Sequence, residues 1–374
     1  MWPSSTGSTA SSQAPRKLFT QIGDAKDSPW RCAELGTIGP TLSTGTDASQ
    51  AKALRANQEP KCVYQGQNPV SEGFFLTPEE AGALLRKDPL CQEVIFPYMI
   101  GRDLVADGRP TRWIIDFGQR EMTEAMRYKP AFARVKELVM PDVLAKAEKE
   151  KAATGKNSTR WTRMANRWWQ FRDYQPGTMA AIAGLPRYIT CARVTKRPIF
   201  EFISSAIHPD NMLIVFPFAD DYSFGILQSG IHWAWFKARC STLKGDFRYT
   251  SDTVFDTFPW PQSPTLAQVK AVAEAARSLR ALRRGIMQSS GWSLRDLYRT
   301  LETPGTNRLR DAHAALDSAV RAAYVMKGAE DTLAFLLRLN LDLAAKESAG
   351  ESVTPPGRPC FISNAEDFIT ADCI

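Results

Sequence analysis

Residues 222–261 read YSFGILQSGIHWAWFKARCSTLKGDFRYTSDTVFDTFPWP, and the order of structural signals in that stretch decides the fold. The apolar run 222–227 is expected to be a strand and 231–237 a helix. The stretch ends in Phe258-Pro259-Trp260-Pro261, whose alternating prolines can continue neither element, so a domain boundary is expected there. Upstream, 188–194, 199–203 and 212–216 are rich in β-branched and aromatic residues and are expected as strands. Downstream the composition changes to helical stripes. Leu266, Val269, Ala273, Ala276, Leu279, Leu282 and Ile286 form the first, and Leu309, Ala312, Leu316, Ala319 and Ala323 the second. Leu333, Leu336, Leu337, Leu341 and Leu343 form the third. The fold class is therefore α+β: a mixed β-rich domain with inserted helices over 61–262, then an α-helical bundle over 263–348.

Toward the N-terminus, Cys62-Val63-Tyr64 is a short strand signal. Thr77-Pro78-Glu79-Glu80 supplies a cap, a proline at the first helical position and a glutamate three residues after the cap, and Asp88-Pro89 ends the helix they start. Residues 94–98 and 113–117 read as buried strands. Phe132, Val135, Leu138, Val139, Val143 and Leu144 recur at helical spacing within 122–151, as a helix pair broken at Pro141. Residues 1–22 are Ser/Thr/Gly/Pro-rich and expected to be a disordered lead, 23–60 a connecting arm, and 349–374 a flexible tail.

The formal net charge is +7, and it is unevenly distributed. Between Arg127 and Arg197 there are 16 Lys and Arg against 5 Asp and Glu, so the remainder of the chain is net negative. A basic block of this kind favours an anionic partner. Seven scattered cysteines without a C-x-x-C pair suit reduced thiols rather than a disulfide framework or a zinc site. No apolar signal-peptide region and no run of about 18 apolar residues stands out, and the chain is expected to be soluble and cytoplasmic, with no membrane partner.

Two clusters carry the functional signal. Arg160, Arg163, Arg167, Trp168 and Arg172 place guanidinium groups beside indoles, a combination that grips phosphates and stacks on bases; the tryptophans would serve equally as core anchors. Arg193-Val194-Thr195-Lys196-Arg197 falls between two strand signals, where a loop can present donors to a groove or simply form a solvated basic turn. His232, between Ile231 and Trp233, reads as a packing histidine, and Asp220-Asp221 as a turn or helix cap. There is no phosphate-binding glycine loop, no G-x-S-x-G and no H-x-E with a downstream C-x-x-C. Nothing assembles a catalytic centre or a metal site.

With those residues in view, the chain resembles the C-terminal part of the MmeI-like (type IIL) restriction–modification enzymes and the large DNA adenine methyltransferases related to them. The resemblance runs over about 38–346. Its motifs are FFLTPEEA (74–81), VIFPYMIGRD (94–103), RWIIDF (112–117), RWWQF (167–171), LPRYI (185–189), FGIL (224–227), HWAW (232–235) and FPWP (258–261), with HAALD (313–317) and AAY (322–324) in the helical part. It implies a DNA target-recognition domain followed by C-terminal helices. The chain departs from the whole enzyme: Asn68-Pro69-Val70 is the nearest string to the Asn-Pro-Pro-aromatic motif, and no F-x-G-x-G cofactor loop is present. The implied function is the sequence-specific, non-catalytic recognition portion of a bacterial DNA methyltransferase or restriction–modification system. S-adenosylmethionine is then expected in a partner methyltransferase domain or subunit, not in this chain, and double-stranded DNA is the expected ligand. A methyltransferase fragment complemented in trans, or a basic nucleic-acid-binding scaffold, are the alternatives. Thr195, Lys196 and Arg197 align with the region that sets sequence preference and are assigned base readout. Arg160, Arg163, Arg167, Trp168, Arg172, Arg193, Lys237, Lys244 and Arg248 are assigned phosphate contacts or stacking.

Overall fold

The computed structural model describes residues 16–21, 28–35, 46–243 and 246–373. In chain order the elements begin with the hairpin β1 (Arg16–Gln21) and β2 (Trp30–Leu35), then α1 (Arg55–Gln58), β3 (Tyr64–Gln65), β4 (Phe75–Leu76) and α2 (Pro78–Lys87). β5 (Ile95–Met99), α3 (Gly101–Val105), β6 (Arg112–Ile115), α4 (Met122–Ala125), α5 (Lys129–Thr154), α6 (Arg160–Ala165) and α7 (Pro176–Ile182) follow. Next come β7 (Arg187–Ala192), β8 (Val194–Thr195), β9 (Glu201–Ser204), β10 (His208–Pro209), β11 (Leu213–Phe216), α8 (Asp221–Gln228), α9 (Gly230–Arg239), β12 (Ser241–Leu243) and β13 (Asp246–Arg248). The helical part is α10 (Leu266–Ser290), α11 (Leu294–Arg299), α12 (Arg308–Ala323) and α13 (Thr332–Ser348), and the class is α+β as expected.

Besides the hairpin the described residues form three sheets, ordered β10-β5-β6-β4, β3-β11-β7-β9 and β12-β13-β8. The first packs against α5, α6 and the segment after it through Ile95, Ile114, Val135, Val139, Met164, Trp168 and Phe171. The second meets the helical domain in a single core: Ile189, Phe202 and Phe216 join Phe224, Trp235, Val272, Leu279, Leu316 and Leu336. Phe258 and Trp260, at the expected domain boundary, are buried in that same core, and the Tyr324 hydroxyl donates to the Pro259 carbonyl at 2.7 Å. The prolines end the elements without separating the hydrophobic units.

Four local expectations need correction. Residues 222–227 form helix α8, not a strand. Asp220 caps it by accepting from the Ser223 N–H at 2.8 Å, and because every residue of α8 is buried the apolar run carries no period that could tell helix from strand. Pro141 does not break α5, which runs unbroken over 26 residues. Phe132, Val135, Val139, Val143 and Ala147 stay buried on one face, and this burial offsets the roughly 3 kcal/mol that an internal proline costs. Arg16–Gln21, within the expected disordered lead, pairs in register with Trp30–Leu35; residues 1–15 lie outside the described residues. Within the arm, Ala48 and Leu54 are buried, and Asn57 donates to the carbonyls of Phe255 and Phe258.

The fourth correction concerns the tail. Ile362 and Phe368 are buried, and the segment ends in an ion network. Asp221, fully buried, accepts from Arg187 at 2.8 Å, Arg280 at 2.6 Å and Arg277 at 2.7 Å. Asp372 pairs with Arg187 at 3.1 Å, Arg280 at 2.8 Å and Arg284 at 2.5 Å. Burial alone would raise the Asp372 carboxyl, yet hydrogen bonds from Arg280 and Thr370 and the charges of Arg280 and Arg284 hold it well below the usual carboxylate range. Polar composition made the tail look loose because it hid the partners waiting for it on β7 and α10.

Two expectations about stability follow from these environments. Asp221→Ala leaves Arg187 and Arg280 buried beside one remaining carboxylate, and should cost about 3–5 kcal/mol, read as a lowered denaturant midpoint at unchanged slope. Burial lowers the His232 imidazole to about 4, against the opposing hydrogen bond with the Leu227 carbonyl. The folded form therefore takes up this proton later than the unfolded chain does. The stability it contributes is fully present above the ordinary value of 6.5 and is lost as pH falls toward 4. Unfolding free energy measured across that window should fall less steeply in His232→Gln; an unchanged slope would remove His232 from the account.

Candidate nucleic-acid interface

The chain changes sheets just after β7. Ala192 still pairs with Leu213 of β11, but Thr195, three residues on, pairs with Phe247 of β13. Arg193 stands at the junction, its N–H donating to the Met212 carbonyl and its carbonyl accepting from the Tyr249 N–H, both at 2.8 Å. Beyond it the Thr195 hydroxyl donates to the Arg197 carbonyl at 2.7 Å and accepts from the Arg197 N–H at 3.2 Å, closing a tight turn. Pro198 and Ile199 are buried immediately after. The result is a short loop held at both ends with Lys196 and Arg197 exposed at its tip.

Of the three residues assigned to base readout, then, Lys196 and Arg197 are placed to reach outward. Thr195 is not: its hydroxyl is committed as donor and acceptor within the turn, and it shapes the loop instead. Arg193 is half-buried beside Arg248, and burial first, then the Arg248 charge, lowers its guanidinium below the ordinary value. Arg248 pairs across the ladder with Val194, so both arginines lie at the base of the same loop.

Lys196 and Arg197 line a cleft of about 820 Å³ whose other cations are Arg102 of α3 and Arg295 and Arg299 of α11. Five cations there face three carboxylates, Asp210, Asp246 and Glu302. Burial raises the Asp210 carboxyl in spite of hydrogen bonds from the Met212 N–H and the Tyr98 hydroxyl. Arg197 also lines a smaller cavity of about 280 Å³ with Trp233, His313 and Asp317, where its charge acts on Asp317. Lys196 makes no ion pair among the described residues.

The other cluster sits elsewhere. None of Arg160, Arg163, Arg167 and Arg172 lines this cleft; they surround α6, against the first sheet and α5. Asp173 takes Arg160 at 2.7 Å and Arg172 at 3.0 Å, and the Arg172 guanidinium lies over the Trp161 ring. These two arginines therefore share one carboxylate, whereas Arg163 and Arg167 are exposed and make no ion pair among the described residues. Trp168 offers no stacking platform: it is 7% exposed and packed between Phe132 and Trp169. Its burial serves the core, because an indole face must be open on one side to receive a base. Lys237, exposed in the last turn of α9, lies over the Trp233 ring at 5.3 Å, and Lys244 lies outside the described residues.

Sequence reading missed Arg102, Arg295 and Arg299. Arg102 stands alone in its stretch and Arg295 and Arg299 form only an i,i+4 pair, and only the packing of α3 and α11 beside the loop brings them together with Lys196 and Arg197.

Comparison with known proteins follows the same division. DNA methyltransferase A of Bacillus subtilis (strain 168) is 32% identical over 139 residues, which is 36% of this chain and 15% of that protein. Among solved structures, the type IIL restriction-modification enzyme MmeI in complex with DNA shares the fold, with a TM-score of 0.66 at 20% identity over 89% of this chain and 42% of that one. The chain thus spans less than half the length of either relative. The family model of the MmeI target recognition domain matches residues 49–262, more than half of the 374, and the chain belongs to that family.

Proposed function

We propose that this chain recognises a short sequence in double-stranded DNA on behalf of a DNA methyltransferase or restriction–modification activity, and does no chemistry alone. The observation that carries this reading is the Thr195–Arg197 loop. It lies inside the matched target-recognition region, its base is fixed by backbone bonds to two sheets, and it presents two cations beside a cleft richer in arginine than in carboxylate. Direct readout asks for such an arrangement, since bidentate donors discriminate a base edge only if the backbone behind them does not yield. Lys196 and Arg197 are assigned to base edges and Arg163, Arg167 and Arg248 to phosphates. S-adenosylmethionine belongs to a methyltransferase domain or subunit that this surface positions on DNA. All seven cysteines are free thiols, and this supports placing the protein in the reducing cytoplasm. Among the described residues no helix is long and apolar enough to cross a membrane.

The test is retention of duplexes from a random pool, followed by sequencing, repeated across a salt series. The native chain should enrich a motif. Lys196→Ala and Arg197→Ala should each relax one position of it by about 1–3 kcal/mol, roughly 5- to 150-fold in preference. Arg167→Ala should weaken all sequences alike and reduce the salt dependence by about one phosphate contact. Uniform retention by the native chain would replace recognition with a bland basic surface.

A further inference from the structure

We infer that the helical domain contributes to a second wall of the DNA site: Arg295 of α11, together with Arg102 of α3 in the target-recognition region, holds backbone phosphates across the cleft from Lys196 and Arg197. This rests on the DNA reading above and, at Arg295, extends it beyond residues 49–262, the region the family model covers.

The geometry of α11 is the first argument. Leu294, Leu297 and Tyr298 are buried, which fixes one face of this short helix inward and leaves Arg295 and Arg299, four residues apart, on the opposite exposed face. The helix is held at both ends. The Leu294 N–H donates to the Ala106 carbonyl just past α3 at 2.8 Å, and the Tyr298 hydroxyl is bound by Arg283 at 3.2 Å and by the His313 ring at 3.0 Å. The same contact that seats α11 therefore ties it to α3, and Arg102 and Arg295 lie along one cleft because their helices are bonded to each other.

Charge is the second argument. Arg299 is occupied by Asp296 at 3.3 Å, whereas neither Arg102 nor Arg295 makes an ion pair among the described residues. Arginines left unneutralised in a cleft that already holds Lys196 and Arg197 raise one another's field, an arrangement that is unfavourable until an anion enters. The ligand that suits it carries negative charge at regular spacing along both walls, as a nucleic-acid backbone does. Arg102 and Arg295 sit on helices rather than on the projecting loop, and this assigns them to phosphates rather than base edges.

The experiment uses the whole chain and a labelled duplex carrying the motif enriched by the native protein, beside a scrambled duplex, from 50 to 200 mM salt. Arg295→Ala and Arg102→Ala should weaken binding to both duplexes by the same factor and should each reduce the slope of log affinity against log salt by about 0.9. Arg295→Lys should restore the slope, because a phosphate accepts a point charge. Arg338→Ala on α13, another exposed arginine of the helical domain, should change neither quantity. Melting curves confirm that these exposed substitutions leave the fold intact. Unchanged affinity and slope in Arg295→Ala and Arg102→Ala, with the native chain still binding, would overturn this inference and leave the recognition reading standing. A changed motif would overturn the phosphate role. Absence of duplex binding by the native chain would overturn both readings together.

Discussion

The fold turns on a buried carboxylate. Asp221 opens α8 with no solvent exposure and gathers Arg187 from β7 together with Arg277 and Arg280 from α10. Removing those charges from water costs several kcal/mol per ion, so the arrangement persists only if nearly every lone pair and proton is matched. Asp372 supplies the missing negative charge by binding Arg187, Arg280 and Arg284, and the guanidinium groups of Arg187 and Arg280 also lie over the Phe202 ring. A sheet, two helices and the tail are thereby made interdependent. Such a network is weak evidence for net stability but strong evidence for register, because a strand shifted by one residue would strand a charge.

That register reaches the candidate site through β7. Arg187, locked to Asp221, begins the strand; Arg193, bonded to Met212 and Tyr249, follows its end. At about 3.3 Å per residue, six paired residues carry the positional constraint nearly 20 Å without a flexible joint. The loop that presents Lys196 and Arg197 is therefore fixed by an ion network on the far side of the sheet. Arg283 reinforces the connection by pairing with Glu201 and donating to the Phe200 carbonyl at 2.9 Å, just after the loop returns to the core.

Where residues announce their environment locally, the sequence was readable. The capping box at Thr77, the stripes of α10, α12 and α13, and the cap at Asp220 each depend on spacing within a few residues. Where environment is set by distant chain, the reading failed. α8 is buried on every side and so has no polar face to reveal its period. The role of Asp221 depends on arginines 34, 56 and 59 residues away. Trp168 carries the same residue type whether it stacks on a base or on Phe132, and only the fold decides. Basic charge was legible as a total but not in its pairing, since Arg160 and Arg172 share Asp173 while Arg163 and Arg167 make no ion pair among the described residues. The turn at 195–197 was legible because strand signals flank it, whereas the hydroxyl bonding of Thr195 inside the turn was not, because it leaves no trace in composition.

The division of labour within this loop has a physical basis. A reading element must satisfy two opposed demands, a backbone that does not move and side chains that can differ. Here they are separated by residue. Arg193 and Thr195 spend their backbone and hydroxyl groups on the turn, and Pro198 is buried behind it, so changing any of them disturbs structure. Lys196 and Arg197 are exposed, and neither forms part of a buried cluster. Replacing them alters the donors offered to a base edge at little cost in folding, because surface substitutions away from caps and networks usually change stability by less than about 0.5 kcal/mol. On the proposed reading, a fold tied together by Asp221 and gripping DNA from two walls would vary what it reads at the loop tip while leaving untouched how it holds on.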